Sequence, residues 1–102
     1  MTRRVVITGM GGVTAFGESW QAVSTRLLDY ENAVRKMPEW QVYDGLHTRL
    51  GAPVDDFTPP EHYTRKRIRS MGRVSLMSTR ATELALEQAG LIGEAVLTNG
   101  ET

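Results

Sequence analysis

The chain has 102 residues, of which 40% are hydrophobic and 24% are charged, a composition that is typical of a soluble globular protein and excludes a disordered segment. Twelve basic residues balance twelve acidic ones, so the chain as a whole has no net charge to attract nucleic acid or an anionic membrane. The absence of cysteine excludes disulfides, thiolate metal sites and a cysteine nucleophile within these residues.

The first predicted element is a strand that leads into a glycine-rich turn. Residues 5–8 are a β-branched run, which is typical of a strand covered on both faces in a parallel sheet. Glycines follow within residues 9–12, and Gly17 ends the turn. A dinucleotide-binding GxGxxG pattern that starts at Gly9 would need glycine where Thr14 stands. We therefore favour a tight structural turn over a nucleotide-binding loop.

The next predicted elements are a helix, a loop and a second strand. Ser19 is a suitable N-cap for the helix. Residues 31–45 have no regular periodicity and predict a structured loop. Residues 48–54 predict a strand, in which Pro53 favours an edge or the strand's end because it has no N–H for the ladder. The residues expected on one face of the helix are Trp20, Val23, Leu27 and Tyr30.

The strongest helical pattern lies in the second half of the chain. A short helix is expected to begin near Pro60 or Glu61, and a long helix is expected over residues 71–89 with Gly90 as its stop. Asn99-Gly100 then predicts a turn that leads into a further strand. One face of the long helix is predicted to carry Val74, Met77, Ala81, Leu84, Ala85 and Gln88, and another face Glu83 and Glu87.

A cluster of basic residues precedes the long helix. No acidic residue occurs between Glu61 and Glu83. If this segment is helical, its basic residues at spacings of four project to one side and attract an acidic surface or a phosphate. The alternative is an ordinary solvated helix face. Nucleic acid is a weaker candidate because Tyr63 is the only adjacent aromatic residue. The cluster consists of Arg65, Lys66, Arg67, Arg69 and Arg73, and the spacing of four joins Arg65, Arg69 and Arg73.

The remaining polar residues predict no catalytic, cofactor or metal site. His47 and His62 have no partners at a spacing typical of metal ligands, so both are interpreted as surface histidines. Asp55 and Asp56 are neighbours that would point to opposite faces of an extended strand. No serine lies in a GxSxG elbow. No signal peptide and no membrane-spanning run is present, so we expect a cytoplasmic protein that does not act on a membrane.

Several short stretches occur in an ordered pattern along the chain. They are residues 3–11 (RRVVITGMG), residues 14–17 (TAFG) followed by the Trp20 helix, residues 54–57 (VDDF), residues 65–71 (RKRIRSM) and residues 89–91 (AGL). In this order they resemble the N-terminal part of the β-ketoacyl-acyl-carrier-protein synthases of the type II elongating class. The resemblance extends over nearly the whole chain and is therefore more specific than any single motif.

The resemblance implies an α/β, thiolase-like layered fold, of which this chain would be an incomplete part. It also implies a homodimer that joins an acyl-enzyme to malonyl carrier protein by decarboxylative Claisen condensation. The cysteine and two histidines that such enzymes use lie beyond the matched region, so no catalytic residue is assigned here. A basic surface docks the acidic acyl carrier protein in the family, and Arg65, Lys66 and Arg69 match its positions, whereas Ser70 departs from the pattern.

We therefore expect residues 1–102 to be the N-terminal portion of one β-ketoacyl synthase domain, with no second domain. Without the nucleophile the chain alone is expected to be inactive, and unpaired edges favour its self-association. Two alternatives remain open: a naturally short, non-catalytic module that binds a carrier protein, and, less favoured, a nucleotide-binding domain. No cofactor and no metal is expected.

Overall fold

A computed structural model of the chain describes residues 2–100. These residues form two compact units. The helical unit contains residues 2–13 and 58–100, and the hairpin unit contains residues 14–57. Among the described residues, the buried hydrophobic side chains are those of Met37 and Phe57, both in the hairpin unit.

In the hairpin unit, helix α1 spans Trp20–Leu28. Its predicted N-cap is confirmed, because Oγ of Ser19 accepts a hydrogen bond of 3.1 Å from the Ala22 N–H and so pairs a backbone donor that the first turn leaves free. Tyr30, predicted on the helix face, lies beyond the helix end. It has a left-handed φ of 59°, and the chain leaves the helix there instead of continuing it.

The hairpin unit also contains a short antiparallel pair, β1 (Arg35–Lys36) and β2 (Leu50–Gly51). Arg35 lies opposite Gly51, and Lys36 lies opposite Leu50. The strand predicted over residues 48–54 is thus reduced to two residues, and its partner comes from the segment predicted to be a loop. A 3-10 helix over Pro38–Val42 fills part of the connection between the strands.

The helical unit contains α2 (Arg65–Ile68), α3 (Arg73–Ala89) and a 3-10 helix over Ala95–Leu97. Gly90 ends α3 with a φ of 71°, as predicted. Helix α3 begins two residues later than expected, because Gly72 is extended and serves as its N-cap. The short helix expected near Pro60 or Glu61 begins only at Arg65, after a turn over residues 61–63.

The structure assigns no strand to residues 5–8. Val5, Val6 and Ile7 are 94%, 68% and 87% exposed, and no described residue forms a ladder with them. A strand requires a second backbone for its hydrogen bonds, and the described part of the chain supplies none here. The strand predicted after Asn99-Gly100 would lie outside the described residues, although Gly100 has the positive φ of 78° that suits such a turn.

The glycine-rich segment packs directly on α3. A Cβ at Gly9 would lie 2.2 Å from the carbonyl oxygen of Ala85, and a Cβ at Gly11 would lie 2.2 Å from that of Ala81. These glycines therefore allow backbone-to-backbone contact with the predicted apolar face of the helix. That face is half-buried at Met77, Ala81, Leu84 and Ala85, whereas Val74 near its start is 78% exposed.

Candidate functional site

The basic residues expected to form a binding surface lie on and beside α2. Arg65, Lys66 and Arg67 belong to this single helical turn. Arg69 caps it, and its backbone N–H donates a hydrogen bond of 3.0 Å to the Arg65 carbonyl. This helical geometry places Arg65 and Arg69 on one face, as predicted. All four basic side chains are exposed.

Arg73 does not continue that face. It is the first residue of α3, and the extended Gly72, with φ −77° and ψ 174°, interrupts the helix between the two basic residues. A spacing of four brings side chains together only along an unbroken helix. The prediction that Arg65, Arg69 and Arg73 share one side is therefore wrong for Arg73. We call residues 65–69 the basic segment.

The basic segment carries uncompensated positive charge. Among the described residues, no carboxylate forms an ion pair with Arg65, Lys66, Arg67 or Arg69. The acidic residues nearest in sequence are Glu61 before the segment and Glu83 on α3. Exposed charges of one sign attract an oppositely charged partner and accelerate its encounter, most strongly at low ionic strength.

A cluster of hydrogen-bonded side chains joins the turn before the basic segment to α3. Nε2 of His62 lies 2.6 Å from Oε2 of Glu83, and Nη1 of Arg80 pairs with Oε1 of the same carboxylate. The Glu83 and Arg80 side chains are only 18% and 19% exposed, whereas the His62 side chain is 60% exposed. Partial burial raises the pKa of Glu83, but hydrogen bonds and charge from His62 and Arg80 outweigh it and lower the pKa below 4.5.

Sequence reasoning missed this cluster. It interpreted His62 as a surface histidine and placed Glu83 on a different face of the long helix from the apolar residues. The exposure of His62 agrees with that interpretation, but its carboxylate partner lies 21 residues away. No local spacing signals a contact of this range. The only available signal was the lone glutamate at the end of a long stretch free of acids.

The other candidate residues, His47, Asp55 and Asp56, belong to the hairpin unit. His47 is exposed in the hairpin unit. Asp55 pairs there with Arg35 at 3.2 Å, and Asp56 is exposed. Within residues 2–100 no group of three histidine, aspartate or glutamate side chains is arranged to hold a metal ion. In the same part of the chain no helix is both long and apolar enough to cross a membrane.

The glycine-rich segment lacks the geometry of a phosphate-binding loop. Helix α1 begins at Trp20 and therefore does not start directly after Gly12. A Cβ added at Gly9 or Gly11 would lie 2.2 Å from a carbonyl oxygen of α3, so both glycines face the backbone of that helix. Between them, the Met10 N–H donates to Oε1 of Gln88. A dinucleotide site instead places these N–H groups at the start of the following helix.

Comparison with known proteins identifies relatives over almost the whole chain. Residues 2–101 match the family described as "Beta-ketoacyl synthase, N-terminal domain". Over 91 residues the chain is 34% identical to Nodulation protein E of Rhizobium meliloti (strain 1021), and the matched region covers 89% of this chain and 22% of that protein. Over 90 residues it is 28% identical to 3-oxoacyl-[acyl-carrier-protein] synthase 2 of Synechocystis sp., and the matched region covers 88% of this chain and 21% of that protein.

One solved structure is similar to this chain in both fold and sequence. The chain superposes on a beta-ketoacyl synthase from Burkholderia phymatum STM815 with a TM-score of 0.86 and 50% sequence identity. The match covers 97% of this chain but only 24% of that one. The fold is therefore part of the thiolase-like architecture expected from the sequence, and the chain spans about a quarter or less of the length of the relatives it matches.

Proposed function

The chain belongs to the beta-ketoacyl synthase family, and from that premise we propose that it is the N-terminal part of a 3-oxoacyl-[acyl-carrier-protein] synthase of fatty acid or polyketide synthesis. The whole protein, the parent synthase, would condense an acyl-enzyme with malonyl carrier protein and release carbon dioxide. The name of the Synechocystis relative and the match over residues 2–101 support this proposal. A homodimer and a cytoplasmic location, both expected from the sequence, complete it.

Within such an enzyme these residues would supply structure and recognition instead of bond-making groups. Covalent condensation needs an activated nucleophile, and the chain contains no cysteine. His47 is exposed and His62 is held by Glu83, so neither is proposed as a catalytic residue. If the purified chain formed a covalent adduct with an acyl thioester, detectable by intact-protein mass spectrometry, this division of roles would be refuted.

We propose that the basic segment docks the acyl carrier protein. The single observation that carries this proposal is that Arg65, Lys66 and Arg69 are exposed around one helical turn without an acidic partner among the described residues. An acidic carrier would satisfy these charges on binding, because complementary potentials guide encounter and fix orientation. An ordinary solvated face is usually interspersed with acids, and none lies between residues 61 and 83.

The test is a double charge reversal, Arg65→Glu with Arg69→Glu, in the parent synthase. We expect carrier affinity to fall about tenfold or more at low salt, with most of the loss in the association rate and with a weaker dependence on salt. Surface plasmon resonance with immobilised carrier measures both rates. Arg49→Glu is the matched control, because Arg49 is exposed in the hairpin unit and has no acidic partner among the described residues. Equal affinities for the double variant and the wild type would refute the docking proposal.

A further inference from the structure

The basic segment is attached to α3 at both of its ends. After the segment, the chain passes through Gly72 into α3, where the Leu76 N–H donates to the Gly72 carbonyl at 3.0 Å. Before the segment, three residues ahead of Arg65, the His62 ring lies 2.6 Å from the Glu83 carboxylate on α3. The chain from His62 to Gly72 therefore forms a loop that closes on one helix.

Helix α2 is too short to hold its own shape. It has four residues, Arg65–Ile68, and an isolated helix shorter than about 12 residues is marginal in water. The Arg67 and Ile68 N–H groups both bond to the Thr64 carbonyl, at 2.9 and 3.2 Å, so the turn continues directly from the residues that precede it. The four residues of α2 are thus not enough to order the basic segment, and the attachments at its ends contribute to its order.

The attachment at the His62 end is well fixed. Arg80, one turn before Glu83 on the same helix, pairs with the Glu83 carboxylate and holds it on α3. The ring of His62 meets the ring of Tyr63 edge-on, with centroids 4.9 Å apart. Tyr63 and Glu83 line the same groove along α3, together with Thr79. A carboxylate already oriented by one cation loses little freedom when it binds a second donor.

We infer that His62 and Glu83 are positioning residues that hold the basic segment in its docking geometry. This inference rests on the proposed docking role of that segment. When a surface is ordered before binding, the partner does not have to supply the free energy for ordering it. Without the His62–Glu83 contact, Arg65 and Arg69 would keep their charges but would sample other arrangements. Carrier binding would then weaken, while long-range attraction would remain.

The test is His62→Ala in the parent synthase, because His62 is 60% exposed and its removal leaves the packing around α3 in place. We expect the KM for the acyl carrier protein to rise about three- to tenfold, the range set by ordering a few side chains on binding. The kcat at saturating carrier, and the KM for a pantetheine thioester without carrier, should not change. The salt dependence of carrier binding should also stay that of the wild type, since no charge of the basic segment is lost.

Two further variants make the result specific. His62→Gln retains an N–H donor for the Glu83 carboxylate and should restore most of the carrier affinity. His47→Ala, a change at an exposed histidine of the hairpin unit, should leave every parameter unchanged.

Three results would overturn the inference. The first is a carrier KM for His62→Ala within about twofold of the wild-type value, in combination with weaker binding by the Arg65/Arg69 reversal. This result refutes the positioning inference and leaves the docking proposal in place. The second is an equal loss with the carrier-free thioester, which makes the role purely structural. The third is unchanged affinity in the Arg65/Arg69 reversal, which refutes the docking proposal and this inference with it.

Discussion

The backbone N–H of Met10 donates a hydrogen bond of 2.7 Å to Oε1 of Gln88, near the C-terminal end of α3. This bond lies between the two contacts at which Gly9 and Gly11 meet the α3 backbone. One polar side chain thus pairs a backbone N–H at the place where the two backbones approach. We call this contact between residues 9–11 and α3 the seam.

Replacing Gln88 tests the polar part of this seam. Gln88→Ala leaves the Met10 N–H without its acceptor, and we expect the free energy of unfolding of the parent synthase to fall by about 1 kcal/mol. Gln88→Glu keeps an acceptor oxygen and should lose less. Urea denaturation followed by fluorescence measures the change. Glu87→Ala, at the exposed neighbouring position, is the control and should lie within about 0.5 kcal/mol of the wild type.

Replacing Gly11 tests the steric part of the seam between residues 9–11 and α3. The methyl group of Gly11→Ala would overlap the Ala81 carbonyl oxygen, at 2.2 Å, and relief requires movement of backbone on one side. We expect a loss of about 1–3 kcal/mol, or failure to accumulate as soluble protein. At Gly12 an added Cβ meets nothing within 4 Å, so Gly12→Ala is the matched control. Equal stability of the two variants would show that the seam is absent in solution.

Tyr30 and Gly90 occupy the same place in two helix ends. In each case the residue's N–H bonds to the carbonyl three residues earlier, and the next N–H bonds to the carbonyl five residues before it. Both residues are left-handed, with φ of 59° and 71°. Only glycine adopts this conformation without strain. Tyr30→Gly should therefore stabilise the protein by up to about 1 kcal/mol, whereas Gly90→Ala should destabilise it by about as much.

These two substitutions serve as each other's control, and thermal unfolding of the parent synthase measures both. Tyr30 is 96% exposed, so in this structure its ring contributes little packing that the change would remove. If Tyr30→Gly instead destabilised the protein by more than about 1 kcal/mol, the ring must make a contact elsewhere in the parent synthase.

The lowered pKa of Glu83 predicts a stability that depends on pH. Folding favours the charged carboxylate, so its contribution is fully present above the unfolded pKa, near 4.5, and is lost as the pH falls through the lower folded pKa. The stability difference between wild type and Glu83→Gln should thus shrink as the pH falls from about 5 to about 3. Glu87→Gln, which removes an exposed carboxylate, is the control. A difference that grew as the pH fell from about 5 to about 3 would contradict the assignment.

The helices were predictable because their signals are local. Ser19 as N-cap and Gly90 as stop are read from side-chain chemistry within a few residues, and the structure confirms both. The strands were not predictable from local signals, since strand pairing joins backbone segments that are distant in the sequence. β1 is two residues long and its paired residues lie 16 and 14 positions further along the chain, so no alternating pattern marks it. The predicted strand over residues 5–8 has no partner among the described residues.

The candidate site divides in the same way. The charge of the basic segment is visible in the sequence. The interruption at Gly72, which removes Arg73 from the common face, is not visible, because most residues adopt this extended backbone conformation easily. The His62–Glu83 pair spans 21 residues and follows from tertiary structure alone. Carrier docking by Arg65, Lys66 and Arg69 stays a prediction.

The distance of 78 residues between Met10 and Gln88 also determines when the seam can form during protein synthesis. A ribosome that adds about 5–20 residues per second needs about 4–16 s to make the chain between these two positions. Throughout that time the glycine-rich segment has no α3 to pack against. The glycine-rich segment is therefore made early but completes its packing only after α3 has been synthesised.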